Sequence, residues 1–500
     1  MHSLGLLDIL VLAAYLASAV FVGLWASRRT KSLEAYLLGD RNLPWWAIAG
    51  SIVATETSAA TVLSVPGEAY GATGMKFLQI ALGYIVGRAI IVYVLLPLYF
   101  RGKLLTAYEV LNDRFGGLTR QAASLLFLIG RNLGDGLRLF LGAIVLEKLA
   151  AIPLELSVVV VGLVSTLYTF VGGMRSIIWN DCIQFVVYVV GALAAAFVIA
   201  SQIAGGFGEV ARFAADTGRL GMIDLRLSLS EPYTFWAGLV GGAVLTIGTH
   251  GTDHSMVQRY LSARSQREAG WAILTSGLVV FLQFALFLFI GIELACYFGQ
   301  QPAGDLKRDE AFAHFIVHKF PPGTGLIGLL LAAILASNLS SSLGASAAAV
   351  VNDFYLPWRK TASPPANLLR LTRWLTVAFG VLQIIIGICA QGLYAIDATV
   401  VTSALTIAGF LFGLLLGVFV LGVFTRRAGQ LSALVGMGVG MALLLFLQFG
   451  LPAVTATEEF PRGVRVAFPW LAVTGAGTTF LAGWTVSLFN ISRPANQASN

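Results

Sequence analysis

The sequence predicts an all-α polytopic membrane protein, a single bundle of about thirteen transmembrane helices. Three observations lead there. Apolar residues make up 57% of the 500 and charged residues only 11%, against ~25% charged in a soluble domain. Mean hydropathy is +0.82. The apolar runs exceed strand length and lack period-two alternation, which selects helices over a barrel. The longest polar segments, about 203–232, 299–323 and 452–466, are too short for a soluble domain. The charge excess of +7 reads as topology, not as a nucleic-acid surface. Cys182, Cys296 and Cys389 lie in or beside apolar stretches and form no motif, which argues against a disulfide framework or a zinc site.

The spans are expected near 6–26, 44–66, 73–100, 119–147, 153–172, 176–202, 233–258, 269–298, 324–355, 368–391, 396–424, 429–451 and 467–490. The first has no small-residue cleavage pattern after it and reads as a retained helix. With the N-terminus outside, nineteen of the 32 Lys and Arg fall in inside loops and ten outside. Arg88, Arg131 and Arg138 fall within spans. Arg259 counts among the inside-loop charges. The short inside loops are consistently basic, so an outside N-terminus and a cytoplasmic C-terminus satisfy the positive-inside rule.

Two spans read as interrupted. The second centres on Ala54, Thr55, Glu56, Thr57 and Ser58. The seventh centres on Gly248, Thr249, His250, Gly251, Thr252, Asp253 and His254. Polar and small residues there favour a local break whose freed carbonyls face a polar cavity. Two weakened helices five spans apart match an inverted five-plus-five repeat, although small residues also serve close helix packing.

Charges inside the membrane cost ~2.5–3.5 kcal/mol each on insertion scales. Glu56 and Asp181 are such charges. Arg131, Asp135 and Arg138 form a plus–minus–plus ladder on one helix face, which either neutralises itself or lends an arginine to a carboxylate of the solute or of Glu56. Arg88 is isolated and could snorkel to an interface. The His250/His254 pair is a weak metal signal that a broken helix would disperse. Ser337, Ser340 and Ser341 share a face of the ninth span beside Asn338 and Ser342, a set of hydroxyls suited either to a hard cation or to tight packing.

Several segments then carry a resemblance. They are TAYEVLNDRFG at 106–116, YTFVGGMRSIIWNDCIQ at 168–184, VQRYLS at 257–262, the serine-rich span ending in VNDFY, and GFLFGLLLGVFVLGVFTRR at 409–427. In that order they resemble the sodium–solute symporter family, which includes sodium–sugar, proline, sialic acid and iodide transporters. The likeness covers residues 6 to 430.

The resemblance implies a repeat core of ten helices. Residues 1–43 then form an extra helix and loop, 44–203 the first repeat, 204–427 the second, and 428–500 two further helices and a polar tail. It implies Na⁺ as coupling ion and a small polar solute carried by alternating access. A common sodium site would use the backbone carbonyls of Ala54 and Thr57, a carbonyl near Ile334, and the side chains of Ser337 and Asn338, with Asn338 standing where the family usually has a hydroxyl. A second would use Asp181, Ser337, Ser340 and Ser341. Substrate contacts would fall on Thr55, Glu56, Ser58, Thr61, His250 and Asp253. Glu56 stands where sugar transporters carry an amide, which argues against a sugar and leaves proton coupling open as an alternative. A solute-binding sensor without transport is a second alternative, while a membrane enzyme lacks any nucleophile–base pair or phosphate loop. The partners expected are the solute and the lipid bilayer, with no nucleic acid and no obligatory protein partner. The expected location is a cell inner membrane.

Overall fold

The computed structural model describes residues 5–27, 33–101, 104, 106–150, 152–302, 306–321, 323–336, 342–359, 365–390, 400–457 and 463–489. All regular elements among them are helical. The main helices are α1 (Leu6–Ser27), α2 (Trp45–Glu56), α3 (Ala59–Tyr70), α4 (Leu78–Ile90), α5 (Gly117–Ala150) and α6 (Leu154–Ser201). They continue as α7 (Gly242–Gly251), α8 (His254–Leu261), α9 (Gln266–Gln300), α10 (Leu326–Ala336), α11 (Ser342–Ala349) and α12 (Pro365–Cys389). The last are α13 (Val400–Phe424), α14 (Gln430–Leu445) and α15 (Phe468–Phe489). Seven helices among the described residues are long and apolar enough to cross a membrane, or eight counting one bent pair.

Among the described residues, helical runs fall within each of the thirteen expected spans. The 48 residues of α6 would extend about 72 Å as one straight helix, more than twice a ~30 Å hydrocarbon core. Gly173 divides it, at φ 65° and ψ 178°. A side chain at that φ is strained, so glycine is what permits the chain to turn between two spans there. Elsewhere small residues bring backbones together. A Cβ at Gly83 would collide with the Gly238 backbone, and one at Gly87 with Thr246 and Ala243, so α4 and α7 pack closely only with glycine there.

Both expected interruptions are present. The second span bends by 59° between α2 and α3. Thr57 leaves helical geometry at φ −83°, ψ 83°, and Ser58 is extended and opens α3. The seventh span stops at Gly251, and Asp253 caps α8 by accepting from the Ser255 amide at 2.7 Å. The outer surface fits lipid, with Phe21, Leu167, Phe197 and Leu481 among its exposed apolar side chains.

Candidate functional site

At the first break the helical hydrogen-bond ladder is interrupted. In an unbroken helix the Ser58 amide would donate to the Ala54 carbonyl. It donates instead to Glu56 O at 3.1 Å. The Ala54 carbonyl is thereby released from its helical donor. Thr57 Oγ lies 2.7 Å from Val53 O and 2.9 Å from Gln283 Oε1 of α9, which ties the break to its neighbour. At the second break Tyr99 donates its hydroxyl to the Gly251 carbonyl.

The two breaks border one cavity of about 130 Å³. Thr55, Glu56, Ser58 and Thr61 line it from the first, and Thr249, His250 and Asp253 from the second. Arg131 and Arg138 contribute from α5, and Phe77, Tyr84, Phe284 and Phe412 form apolar walls. All six residues expected to contact substrate therefore lie on this one wall.

The α5 ladder pairs within itself, as one of its two expected readings has it, while Arg88 departs from expectation. Arg88 does not snorkel. It is fully buried and ion-paired with Glu56, which offsets the cost of burying its charge. Its Nη1 donates to Ser276 Oγ at 2.8 Å, and its Nη2 is 3.3 Å from His250 Nε2. His250 also meets Glu56 directly, while its Nδ1 lies 3.0 Å from Thr249 Oγ. The α5 ladder consequently leaves Glu56 to Arg88. Arg131 donates Nε to Asp135 at 3.0 Å and Nη1 to Asp253 at 3.4 Å, and Arg138 donates to Asp135 at 3.4 Å. The ladder thus joins α5 to the second break. His254 points elsewhere, accepting from the Ala107 amide and packing on Tyr108 and Phe127. Among the described residues no group of three or more His, Cys, Asp or Glu could hold a metal.

Asp181 lies outside this cavity, in a second buried cluster. Ser51 Oγ donates to Asp181 Oδ2 at 2.5 Å. Arg259 is not a loop charge. It is 1% exposed within α8 and donates to Ser51 Oγ at 2.8 Å, Thr55 Oγ at 2.5 Å and Asp181 Oδ2 at 3.2 Å. The VQR segment held this arginine, but its depth depends on how α8 packs against α2 and α6. Ser337, Asn338, Ser340 and Ser341 lie outside the described residues, and of Ile334 only the backbone, near the end of α10, is described. Gln283, Ser276 and the aromatic walls were not singled out from sequence, since nothing marks them until α9 and α13 are seated against α2 and α3.

A helix bundle whose two broken spans open onto a polar, charge-lined cavity defines a solute carrier of the membrane. The model of the "Sodium:solute symporter family" matches residues 36–440, and the chain belongs to that family. The human sodium/iodide cotransporter is 28% identical over 471 residues, covering 92% of this chain and 72% of that one. The sodium/sialic acid symporter SiaT of Proteus mirabilis is 27% identical over 462 residues, covering 90% and 91%. A solved structure of a Na⁺-coupled sialic acid symporter, substrate-bound and outward-open, superposes with a TM-score of 0.84 at 26% identity, covering 99% of each chain. The protein is a multi-pass membrane symporter that couples a solute to Na⁺ by alternating access.

Proposed function

We propose that the cavity between the breaks is the substrate site, with Thr55, Glu56, Ser58, Thr61, His250 and Asp253 as its contacts. The observation that carries this is the convergence of both broken helices on one cavity holding all six residues. The common sodium site would take the backbone carbonyls of Ala54 and Thr57, with a carbonyl near Ile334 and the side chains of Ser337 and Asn338 completing it. The donor chemistry fits. Na⁺ prefers hard oxygen ligands, as calcium and magnesium do, and the break turns the Ala54 carbonyl away from its helical partner. A second ion would use Asp181 with Ser337, Ser340 and Ser341. The two repeats would span 44–203 and 204–427 and rock against each other around the cavity. Na⁺ would raise solute affinity by linkage. The N-terminus would lie outside an inner membrane and the C-terminus in the cytoplasm.

The test is thermal stability of the purified protein in choline chloride with and without added NaCl, for wild type and Ser337→Ala. A ligand at one hundred times its Kd stabilises by about 2.7 kcal/mol, so bound Na⁺ should give a clear shift. The expected result is a Na⁺-specific shift that Ser337→Ala reduces. Equal shifts in both salts, or an undiminished shift in the variant, would remove the ion from this site.

A further inference from the structure

The span that begins with α4 does not stay regular. Between Ile91 and Leu95 it widens into a π turn, with the Leu96 amide donating to the Ile91 carbonyl five residues back. Tyr93, on that turn, is 79% exposed. Beside it runs the start of α9, where Trp271 is 53% exposed. An open groove of about 490 Å³ lies between them, with Gln266 and Arg267 at one end and Gly270 on its floor. A Cβ at Gly270 would meet Val92 Cγ1 at 3.3 Å and Leu96 Cδ2 at 3.8 Å, so the glycine keeps that floor low.

The exposed charge at the groove's end is positive. Arg267 is exposed and forms no ion pair among the described residues. Arg264, in the same short loop, is tied to Asn42 Oδ1 at 3.1 Å. Glu268 is half-buried, with its Oε2 enclosed. Away from this end the exposed side chains continue as two apolar stripes at helical spacing. One is Tyr93, Ile90 and Val86, and the other Trp271, Leu278 and Leu282. A cation, then two aromatic side chains, then two apolar stripes follow the order of a phospholipid: headgroup, interface, acyl chains. The arginine fork fits a phosphate bidentately. A choline headgroup would bring a second cation beside Arg267, whereas an anionic headgroup brings none. A soluble phosphate would leave both stripes uncovered.

We propose that this groove binds an anionic phospholipid, in the leaflet on the side of the loop between α8 and α9. Arg267 holds the phosphate, Tyr93 and Trp271 flank the glycerol region, and an acyl chain passes over Gly270 and between the stripes. The lipid pins the start of α9 to the span of α4, whichever solute and ion are carried.

The purified full-length protein is titrated in detergent micelles with palmitoyl-oleoyl phosphatidylglycerol at fixed total lipid, the remainder being the phosphatidylcholine with the same chains. The readout is the melting temperature. Wild type should melt higher as the anionic fraction rises. Arg267→Gln should need about five-fold more of it for half the shift, the worth of one arginine at an anionic surface. Arg427→Gln, which removes an exposed arginine from another loop, should keep the wild-type response. Gly270→Leu fills the floor and should lose the response. Should that variant fail to fold, Trp271→Ala, whose ring lies on the surface, takes its place. Equal melting in both lipids, a wild-type response in Arg267→Gln or in the groove variant, or an equal loss in Arg427→Gln would each overturn the site. So would a shift of the same size from glycerol phosphate, which carries the headgroup chemistry without the chains.

Discussion

Glu56 and Asp181 are both buried acids held by an arginine, yet they are built differently. Glu56 meets Arg88 and His250 through one oxygen, and its other oxygen is buried without a hydrogen bond. Asp181 takes both Ser51 and Arg259 on Oδ2, away from the cavity, and Arg259 continues to Thr55 of the first break and to the Ser255 carbonyl of α8. The first acid belongs to the lining of the cavity between the breaks. The second fastens three helices, α2, α6 and α8, to one another. A charge in the membrane is affordable in either design because its partner is equally buried.

The largest expected effect comes from breaking the first pair. Arg88→Met should destabilise by about 3–5 kcal/mol, since it leaves Glu56 charged and buried with only His250 beside it. The double variant Arg88→Met with Glu56→Gln should recover part of that loss. Denaturation midpoints of the three proteins check it, and equal losses in the single and double variants would make the pair energetically idle.

Asp181→Asn should cost less, about 1–3 kcal/mol. Arg259 retains Ser51, Thr55 and Ser255 O, and the amide still accepts a hydrogen bond. Its sharper signature is the half-saturating Na⁺ concentration for uptake, which should rise if Asp181 holds an ion. A loss of stability with unchanged Na⁺ dependence would leave Asp181 a fastener alone.

Thr57→Val should cost about 1 kcal/mol by removing one hydroxyl from the Val53 carbonyl and Gln283. It should leave the Na⁺-specific thermal shift nearly unchanged, because the proposed ligand is the Thr57 carbonyl, which the variant keeps. A shift lost with the hydroxyl would make the side chain a sodium ligand instead.

The smallest effect belongs to a third acid, outside the spans. Asp224 accepts from Arg226 at 2.7 Å, and Lys76 lies 3.3 Å away. Hydrogen bonds from Arg226 hold its carboxyl below the usual range, and Lys76 adds to the effect. A depressed folded-state pKa stabilises above the unfolded value near 4, and that contribution is lost as pH falls through the folded value. Asp224→Asn should therefore cost at most about 1 kcal/mol at neutral pH, with the difference from wild type shrinking in acid. Melting curves across pH 7 to 3 read this directly, and a difference that grows toward acid would contradict it.

Much of this was legible in the chain. Apolar run lengths set the spans, because a segment that crosses lipid must satisfy its own backbone. The Thr- and Ser-rich centre around Glu56 and the glycines around His250 marked both breaks, since those residues weaken a helix wherever it packs. The six cavity residues followed from the breaks and from the family resemblance.

What sequence order could not supply was pairing. Arg88 looks isolated in its span, and Arg259 sits in a run that reads as a basic loop edge, yet both are among the most deeply buried side chains. Their partners are 32 and 78 residues away. The sequence by itself determined that this protein is a helical membrane bundle with two weak points, because hydropathy and helix-breaking residues act locally. Only the tertiary structure decided that the weak points share one cavity and that Arg88 rather than the α5 ladder holds Glu56. Those outcomes depend on which helix faces meet, and no local property of the chain fixes that.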